Sequence, residues 1–250
     1  MLRAPSAAAV AALAALALLL ASCGTEEEPP PPELSAQAML DRAFERLPAS
    51  GRAEIDVDAQ LPQDPSERAT AQLEGPFDNS GGPVPSFDLD GQAQAAGFGV
   101  DLRLVSTGDD AFVVFFGENY RVGRDRVAAI GQRSAGIDPR TWFGSPRHAG
   151  VDEVADVDSY RIEAPLDADA LAADLSGLGG APADLAAFEG GSIDAWVGVE
   201  DGTFHRLQLI SDALEFDLEL TALGEPQEIE PPPGGGFQPI EDLLGRIPGH

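Results

Sequence analysis

From Ala53 to Leu104 the chain alternates apolar and polar residues in run after run, and a period of two marks β-strands with one buried and one wet face. Ala53, Ile55, Val57, Ala59 and Leu61 alternate with Arg52, Glu54, Asp56, Asp58 and Gln60. The pattern returns in Ala69, Ala71 and Leu73, in Phe87, Leu89 and Ala93, and in Phe98, Val100, Leu102 and Leu104. A turn at Thr107-Gly108-Asp109-Asp110 leads into Ala111 to Phe116, and Gly117-Glu118-Asn119 turns the chain again into Tyr120-Arg121-Val122. Strands joined by such short Gly, Asp and Asn turns pair most economically as antiparallel neighbours.

Around this region the period changes. Ala36, Met39, Leu40, Ala43, Phe44 and Leu47 recur at steps of three and four, which predicts an amphipathic helix from Ser35 to Leu47, ended by Pro48. The middle reads as helical and irregular, with a helix near Arg124 to Gln132 and a helical turn over Asp138 to Phe143. A strand over Ser159 to Ala164 follows, then a helix over Ala168 to Leu175 with Asp167 as its N-cap, and a short helix near Pro182 to Phe188. Three strands close the pattern, Ser192 to Val199, Phe204 to Ile210 and Leu214 to Leu220, the first two joined through the hairpin turn Glu200-Asp201-Gly202-Thr203. Pro231 to Gly236 reads as a linker, and Phe237, Ile240, Leu243, Leu244 and Ile247 beyond it can share one helical face.

The N-terminus is of another kind. Arg3 precedes an apolar run from Ala7 to Leu20, which falls short of the ~20 residues that cross a ~30 Å hydrocarbon core. The run ends in Leu20-Ala21-Ser22-Cys23, which resembles the lipobox at which prolipoproteins are acylated on cysteine sulfur and cleaved before it. Cys23 is the only cysteine, so no intramolecular disulfide can form and an exported chain must hold itself together by burial. Gly24 to Glu33, with four successive prolines, reads as a stiff extended spacer.

With 43% apolar and 23% charged residues the composition is that of a globular protein, but all 15 basic residues are arginine against 43 Asp and Glu, a formal charge of −28. Such a surface repels phosphate backbones, which excludes nucleic acid as a partner. Chemistry-bearing motifs are equally wanting. His148, His205 and His250 stand far apart in sequence, no Gly-x-Ser-x-Gly elbow is present, and Gly234-Gly235-Gly236 lacks the Lys-Ser/Thr of a phosphate loop. Asp88-Leu89-Asp90-Gly91 has the look of a calcium loop, but the position that needs a bidentate glutamate falls on Gly97. Asp152, Glu153, Asp156 and Asp158 read as a solvated face. No catalytic residue, metal ligand or cofactor is assigned.

Helix, antiparallel strands, intervening helices and three more strands behind a lipobox resemble the LppX/LprG-type lipoproteins of actinobacteria, relatives in fold of the LolA and LolB lipoprotein carriers. The stretches that carry the likeness are Asp138 to Phe143, Val157-Asp158-Ser159-Tyr160-Arg161-Ile162 leading into Asp167 to Leu171, and Leu218 to Glu230 with its Pro226-Gln227-Glu228-Ile229. The resemblance implies an α+β body in which a curved, mainly antiparallel sheet, an incomplete barrel, carries helices on its concave face. It further implies a hydrophobic cavity for lipid or glycolipid acyl chains, and lipid transport between membrane layers with a membrane transporter as partner. The chain departs from the pattern in its acidity and in the extra tail from Gly234.

Residue sizes bear on the cavity independently. Ala53, Ile55, Val57 and Ala59, then Ala69, Ala71 and Leu73, then Leu89, Gly91, Ala93 and Ala95 are mostly small for a gap of ~10 Å between packed layers. Either the helix bearing Met39, Leu40 and Phe44 approaches closely, or a space remains. The expected lining is Leu40, Phe44, Ile55, Val57, Ala71, Leu73, Ala93, Phe98, Val100, Leu102, Leu104, Phe112 and Val114, with Cys23 as the site of lipid attachment. The organisation expected is a signal peptide over 1–22, a lipidated cysteine and tether over 23–33, the folded body over 34–230 and a linker with tail over 231–250. A structural or protein-interaction lipoprotein with a filled core is the rival reading, and an enzyme with a dispersed site a weaker third.

Overall fold

The computed structural model describes residues 33–61, 64–81, 84–95, 97–177, 188–234 and 236–244, and those from Leu34 onward belong to one compact unit. The expected signal peptide, Cys23, most of the tether, and residues 182–187 of the expected short helix lie outside the described residues.

Helix α1 spans Ala36–Glu45, and the Ser35 hydroxyl caps it by accepting from the Ala38 N–H at 3.2 Å. Six strands follow in hairpin succession: β1 (Ser50–Leu61), β2 (Asp64–Asp78), β3 (Ser86–Ala95), β4 (Phe98–Thr107), β5 (Ala111–Phe115) and β6 (Glu118–Arg121). Helix α2 (Arg124–Ser134) and a 3-10 turn (Pro139–Trp142) lead to β7 (Arg147–Val154) and β8 (Val157–Pro165). Helix α3 (Ala168–Gly177) begins under the expected cap, the Asp167 carboxylate accepting from the Ala170 N–H at 3.0 Å. Then come β9 (Ser192–Gly198), β10 (Phe204–Ile210), β11 (Leu214–Thr221), the two-residue β12 (Gln238–Pro239) and α4 (Ile240–Leu244).

The strands form one curved, unclosed α+β sheet in the order β12-β6-β5-β4-β3-β2-β1-β11-β10-β9-β8-β7. Every pairing is antiparallel except that of β12 with β6. Two meanders, β1 to β6 and β7 to β11, are thus joined by the β1–β11 ladder, whose register sets Ile55 opposite Leu218 and Asp56 opposite Asp217. Strand β7, in the stretch expected to be irregular, is an edge strand with a register shift between His148 and Gly150. Its apolar residues Val151 and Val154 are too sparse to declare a period of two.

One face of the sheet is apolar over most of its width, with Ser106 and His148 at its margins. A single cross-strand row runs Ile162, Ala195, Leu207, Leu218, Ile55, Leu73, Gly91, Leu102 and Phe115 through successive ladders. The next row runs Ala164, Ile193, Leu209, Phe216, Val57, Ala71, Ala93 and Val100. Helix α1 packs on this sheet at β7 and β9 and against the 3-10 turn, burying Leu40 and Ala43 completely. The Phe44 ring meets Phe204 and Phe143 at centroid distances of 5.1 and 6.4 Å.

Candidate functional site

Cover on the apolar face is uneven. In the first row Ile162 and Ala195 are fully buried, whereas Leu218, Ile55, Leu73, Leu102 and Phe115 are only half-buried. In the second row Ile193 and Leu209 are buried, but Phe216, Val57, Ala71, Ala93 and Val100 are half-buried. At the β3–β4 hairpin Phe98 is 78% exposed. In these two rows the face is therefore closed over β8 to β10 and half-open from β11 to β4, while the adjoining Leu220, Ala53, Phe77 and Leu89 of the same face are buried. The open part offers aliphatic and aromatic carbon, with Gly91 in place of a side chain at its centre, so what it can accept is hydrocarbon.

Of the expected lining, Ile55, Val57, Ala71, Leu73, Ala93, Phe98, Val100, Leu102 and Leu104 share this face, while Leu40 and Phe44 lie in the helix over its closed half. Phe112 and Val114 do not share it. The connection of four residues between Ser106 and Ala111 sets Leu104 opposite Val113 and Val105 opposite Phe112, so the odd positions of β5 continue the apolar face. Val113 and Phe115 belong there in their stead, as do Phe216 and Leu218, whose alternation in the sequence was a sufficient signal.

The opposite face is polar and strongly acidic. Strand β1 presents Glu54 between Glu74 and Glu219, Asp56 beside Asp217, and Asp58 beside Glu215. Part of this charge is balanced by arginine: Arg68 pairs with Asp58, Arg103 binds both oxygens of Asp88 at 2.7 Å, Arg206 pairs with Asp217, and Arg161 reaches Asp194 at 2.7 Å. Hydrogen bonding to these carboxylates pushes the Arg103, Arg206 and Arg161 guanidiniums above their ordinary range. Arg206 and Arg161 also lie over the Trp196 ring, 4.9 and 5.7 Å from its centroid. A depression of 580 Å³ crosses this polar face between the row Gln208, Asp217, Asp56, Gln72 and Gln92 and the row Ile210, Glu215, Asp58, Thr70 and Gln94. It is not the apolar volume expected between sheet and helices, because carboxylates and amides of the polar face line it.

Two crystal structures share this architecture. The lipoprotein LppX of Mycobacterium tuberculosis superposes with a TM-score of 0.53 at 12% identity, covering 78% of this chain and 98% of its own. LprF of Mycobacterium bovis gives 0.54 at 18% identity, covering 82% of this chain and all of its own. The chain has the LppX and LprF fold. No family model and no curated protein matches the sequence.

In this fold the C-terminal segment takes a defined place. Residues of the linker pass the polar face beside Asp88 and Arg103. The chain then wraps the β6 edge: Phe237 stacks on Phe112 at 4.9 Å on one face, and Ile240 and Leu243 pack on Tyr120 with Val113 and Phe115 on the other. Among the described residues no group of three metal-ligating side chains gathers, and no helix is long and apolar enough to cross a membrane.

Proposed function

We propose that this chain is a membrane-anchored lipoprotein of the cell envelope that holds acyl chains of a lipid or glycolipid on the open half of its apolar sheet face, as a carrier and not a catalyst. One observation carries the reading: the two cross-strand rows from Phe216 and Leu218 to Val100 and Leu102 are continuous, free of polar side chains and only half-buried. An apolar face of that extent on a monomer asks for an occupant. Burial gives about 0.8 kcal/mol per methylene, so a chain of about sixteen carbons contributes on the order of 10 kcal/mol before ordering costs. The acidic opposite face repels anionic headgroups, which leaves entry to the apolar side.

The anchor in this reading is Cys23, and the LppX structure, that of a lipoprotein, supports it. Transport implies a membrane transporter or acceptor that takes the lipid onward. The test is native mass spectrometry of protein purified from its own membrane with the anchor removed. A lipid adduct is expected in the wild type and not in Ala71→Trp or Ala93→Trp, which face each other across β2 and β3. A wild type free of lipid supports the rival, a protein-interaction lipoprotein. Lipid retained in both folded variants removes the proposed location.

A further inference from the structure

The apolar face opens towards one end of the sheet. In one direction along the strands it closes at buried Leu220, Ala53, Phe77 and Leu89. In the other a third cross-strand row, Leu214, Ala59, Ala69, Ala95 and Phe98, carries it to the rim without a polar side chain. Cover thins along that row, from half-buried Leu214, Ala59 and Ala69 to exposed Ala95 and Phe98.

Two hairpin turns at this rim present aromatic rings to solvent. Phe98 closes the β3–β4 hairpin opposite Ala95, and Phe116 lies in the two-residue β5–β6 turn between Phe115 and Glu118. At 78% and 74% they are the most exposed large apolar side chains among the described residues. Phe116 and Gly117 have φ of 50° and 73°, a turn that Asn-Gly suits and a phenylalanine does not, so local folding does not account for the ring. Charge is missing as well. In a chain that is 23% charged, Gly91 to Val100 and Ala111 to Gly117 contain no Asp, Glu, Lys or Arg. Glu118, next in line, accepts from the Tyr120 hydroxyl at 2.5 Å. The charges of the same end of the sheet, among them Arg68, Glu189 and Asp212, stand by the connections of β1, β2 and β9 to β11.

We propose that the β3–β4 and β5–β6 turns are a membrane-docking surface, inserting Phe98 and Phe116 shallowly into a bilayer that bears no net charge. Phenyl rings on an uncharged tip gain by leaving water for the acyl boundary, while a net charge of −28 elsewhere keeps the rest of the body off. The length of chain before the body fits this occupant. The Leu34 carbonyl lies 3.1 Å from His148 Nε2 near the start of β7, the strand end that faces the same way as the two turns. Eleven residues separate Leu34 from Cys23, so an anchor on that cysteine holds a bilayer within roughly 35 Å. The contact rests on the lipid reading for its purpose: it sets the open end of the apolar face against hydrocarbon, so an acyl chain passes over Phe98 without crossing water.

The experiment uses the chain from Cys23 onward, which retains the compact unit from Leu34, coupled through its sole cysteine to a maleimide lipid in phosphatidylcholine vesicles brominated along their acyl chains. Tryptophan is introduced by Phe98→Trp, by Phe116→Trp or, away from the rim, by Leu47→Trp, and bromine quenching is read against the background of Trp142 and Trp196. Quenching is expected at positions 98 and 116 and not at 47, and it should fall when phosphatidylglycerol replaces part of the phosphatidylcholine. No added quenching at 98 and 116, equal quenching at 47, or a rise with phosphatidylglycerol overturns the proposal. Loading of the uncoupled chain with pyrene-labelled phosphatidylcholine separates docking from lipid holding. The Phe98→Ser, Phe116→Asn double variant, which gives the turn a residue it favours, should load at least about tenfold more slowly to the same final extent. Ala71→Trp should abolish loading and leave quenching at position 116 intact. Wild-type loading that the double variant does not slow counts against docking, whereas quenching at the rim without any loading counts against the lipid reading and leaves docking standing.

Discussion

Gly91 stands directly opposite Leu73 across the β2–β3 ladder with no room for a side chain: a Cβ there would lie 1.8 Å from the Gln72 carbonyl oxygen and 2.9 Å from the Leu73 Cα. The two backbones come this close in the middle of the open apolar face, where a glycine allows the sheet to bend. Gly91→Ala is expected to cost about 1–3 kcal/mol or more, since backbone must move to relieve the overlap. The urea midpoint reads it; a midpoint unchanged from wild type would mean that the strands are not so closely apposed.

The uneven cover of the apolar face has a measurable counterpart. Leu40 is fully buried on the sheet-facing side of α1, whereas Phe98 is 78% exposed at the far end of the face. Leu40→Ala is expected to lose about 2–5 kcal/mol. Phe98→Ala should stay within about 0.5 kcal/mol of wild type, as substitutions away from packed sites do. Equal costs at the two positions would show that the far end is covered in solution.

Most of the sheet was legible in the sequence because its two faces differ so sharply. Ile55, Val57 and Leu73 against Glu54, Asp56 and Gln72 leave no choice of face, and α1, α2 and α3 follow from their spacing and from caps such as Asp167. Strand β7 was not legible, because an edge strand carrying Asp152 and Glu153 beside Val151 buries too little to show a pattern. The inward face of β5 differs from the expected one for a different reason. Phe112 and Val114 are as apolar as Val113 and Phe115, so only the length of the connection over 107–110 decides which pair looks inward. Nor does local sequence say which half of the apolar face a helix covers, since that depends on how the β7–β11 meander docks on β1.

Asp110 ties the β4–β5 turn to the strand and helix that follow. Burial raises its pKa, but hydrogen bonds and charge from Arg121 and Arg124 together outweigh that and hold the carboxyl below its ordinary value. A depressed folded pKa means that the stability it confers is fully present above the unfolded value of ~3.9 and is lost as pH falls through the folded value. Asp110→Asn should therefore be less stable than wild type at neutral pH by a margin that holds down to about pH 4 and closes below it. Urea titrations at a series of pH values measure the margin, and one that widens in acid would contradict the ion-pair account.

Anchoring through Cys23 predicts that Cys23→Ser abolishes processing and releases the protein from membranes. Fractionation after a high-salt wash is the measurement, because at a net charge of −28 electrostatic adhesion to an anionic surface cannot substitute for acyl chains. Retention of the variant in the washed membrane fraction would remove the lipid anchor from the proposed function.

The last prediction concerns the price of the acidic face. Glu54 sits in the middle of the sheet with Glu74 directly opposite on β2 and Glu219 directly opposite on β11. Like charges in directly opposed positions destabilise a ladder by roughly 0.2–1 kcal/mol each. Arginine relieves the rows toward Asp58, where Arg206, itself opposite Glu219, meets Asp217 and Arg68 meets Asp58, but Glu54 makes no ion pair among the described residues. Glu54→Lys turns two repulsive pairs into two attractive ones, and Glu54→Gln only removes the repulsion. At low salt both variants should be more stable than wild type, with lysine gaining more than glutamine. At 1 M salt, where the screening length is about 3 Å, most of both gains should disappear, because the pairs are exposed. Wild-type stability should itself rise with salt over the same range. If Glu54→Lys gives no gain at low salt, or a gain that salt leaves untouched, the repulsion across β1 is not what limits this sheet.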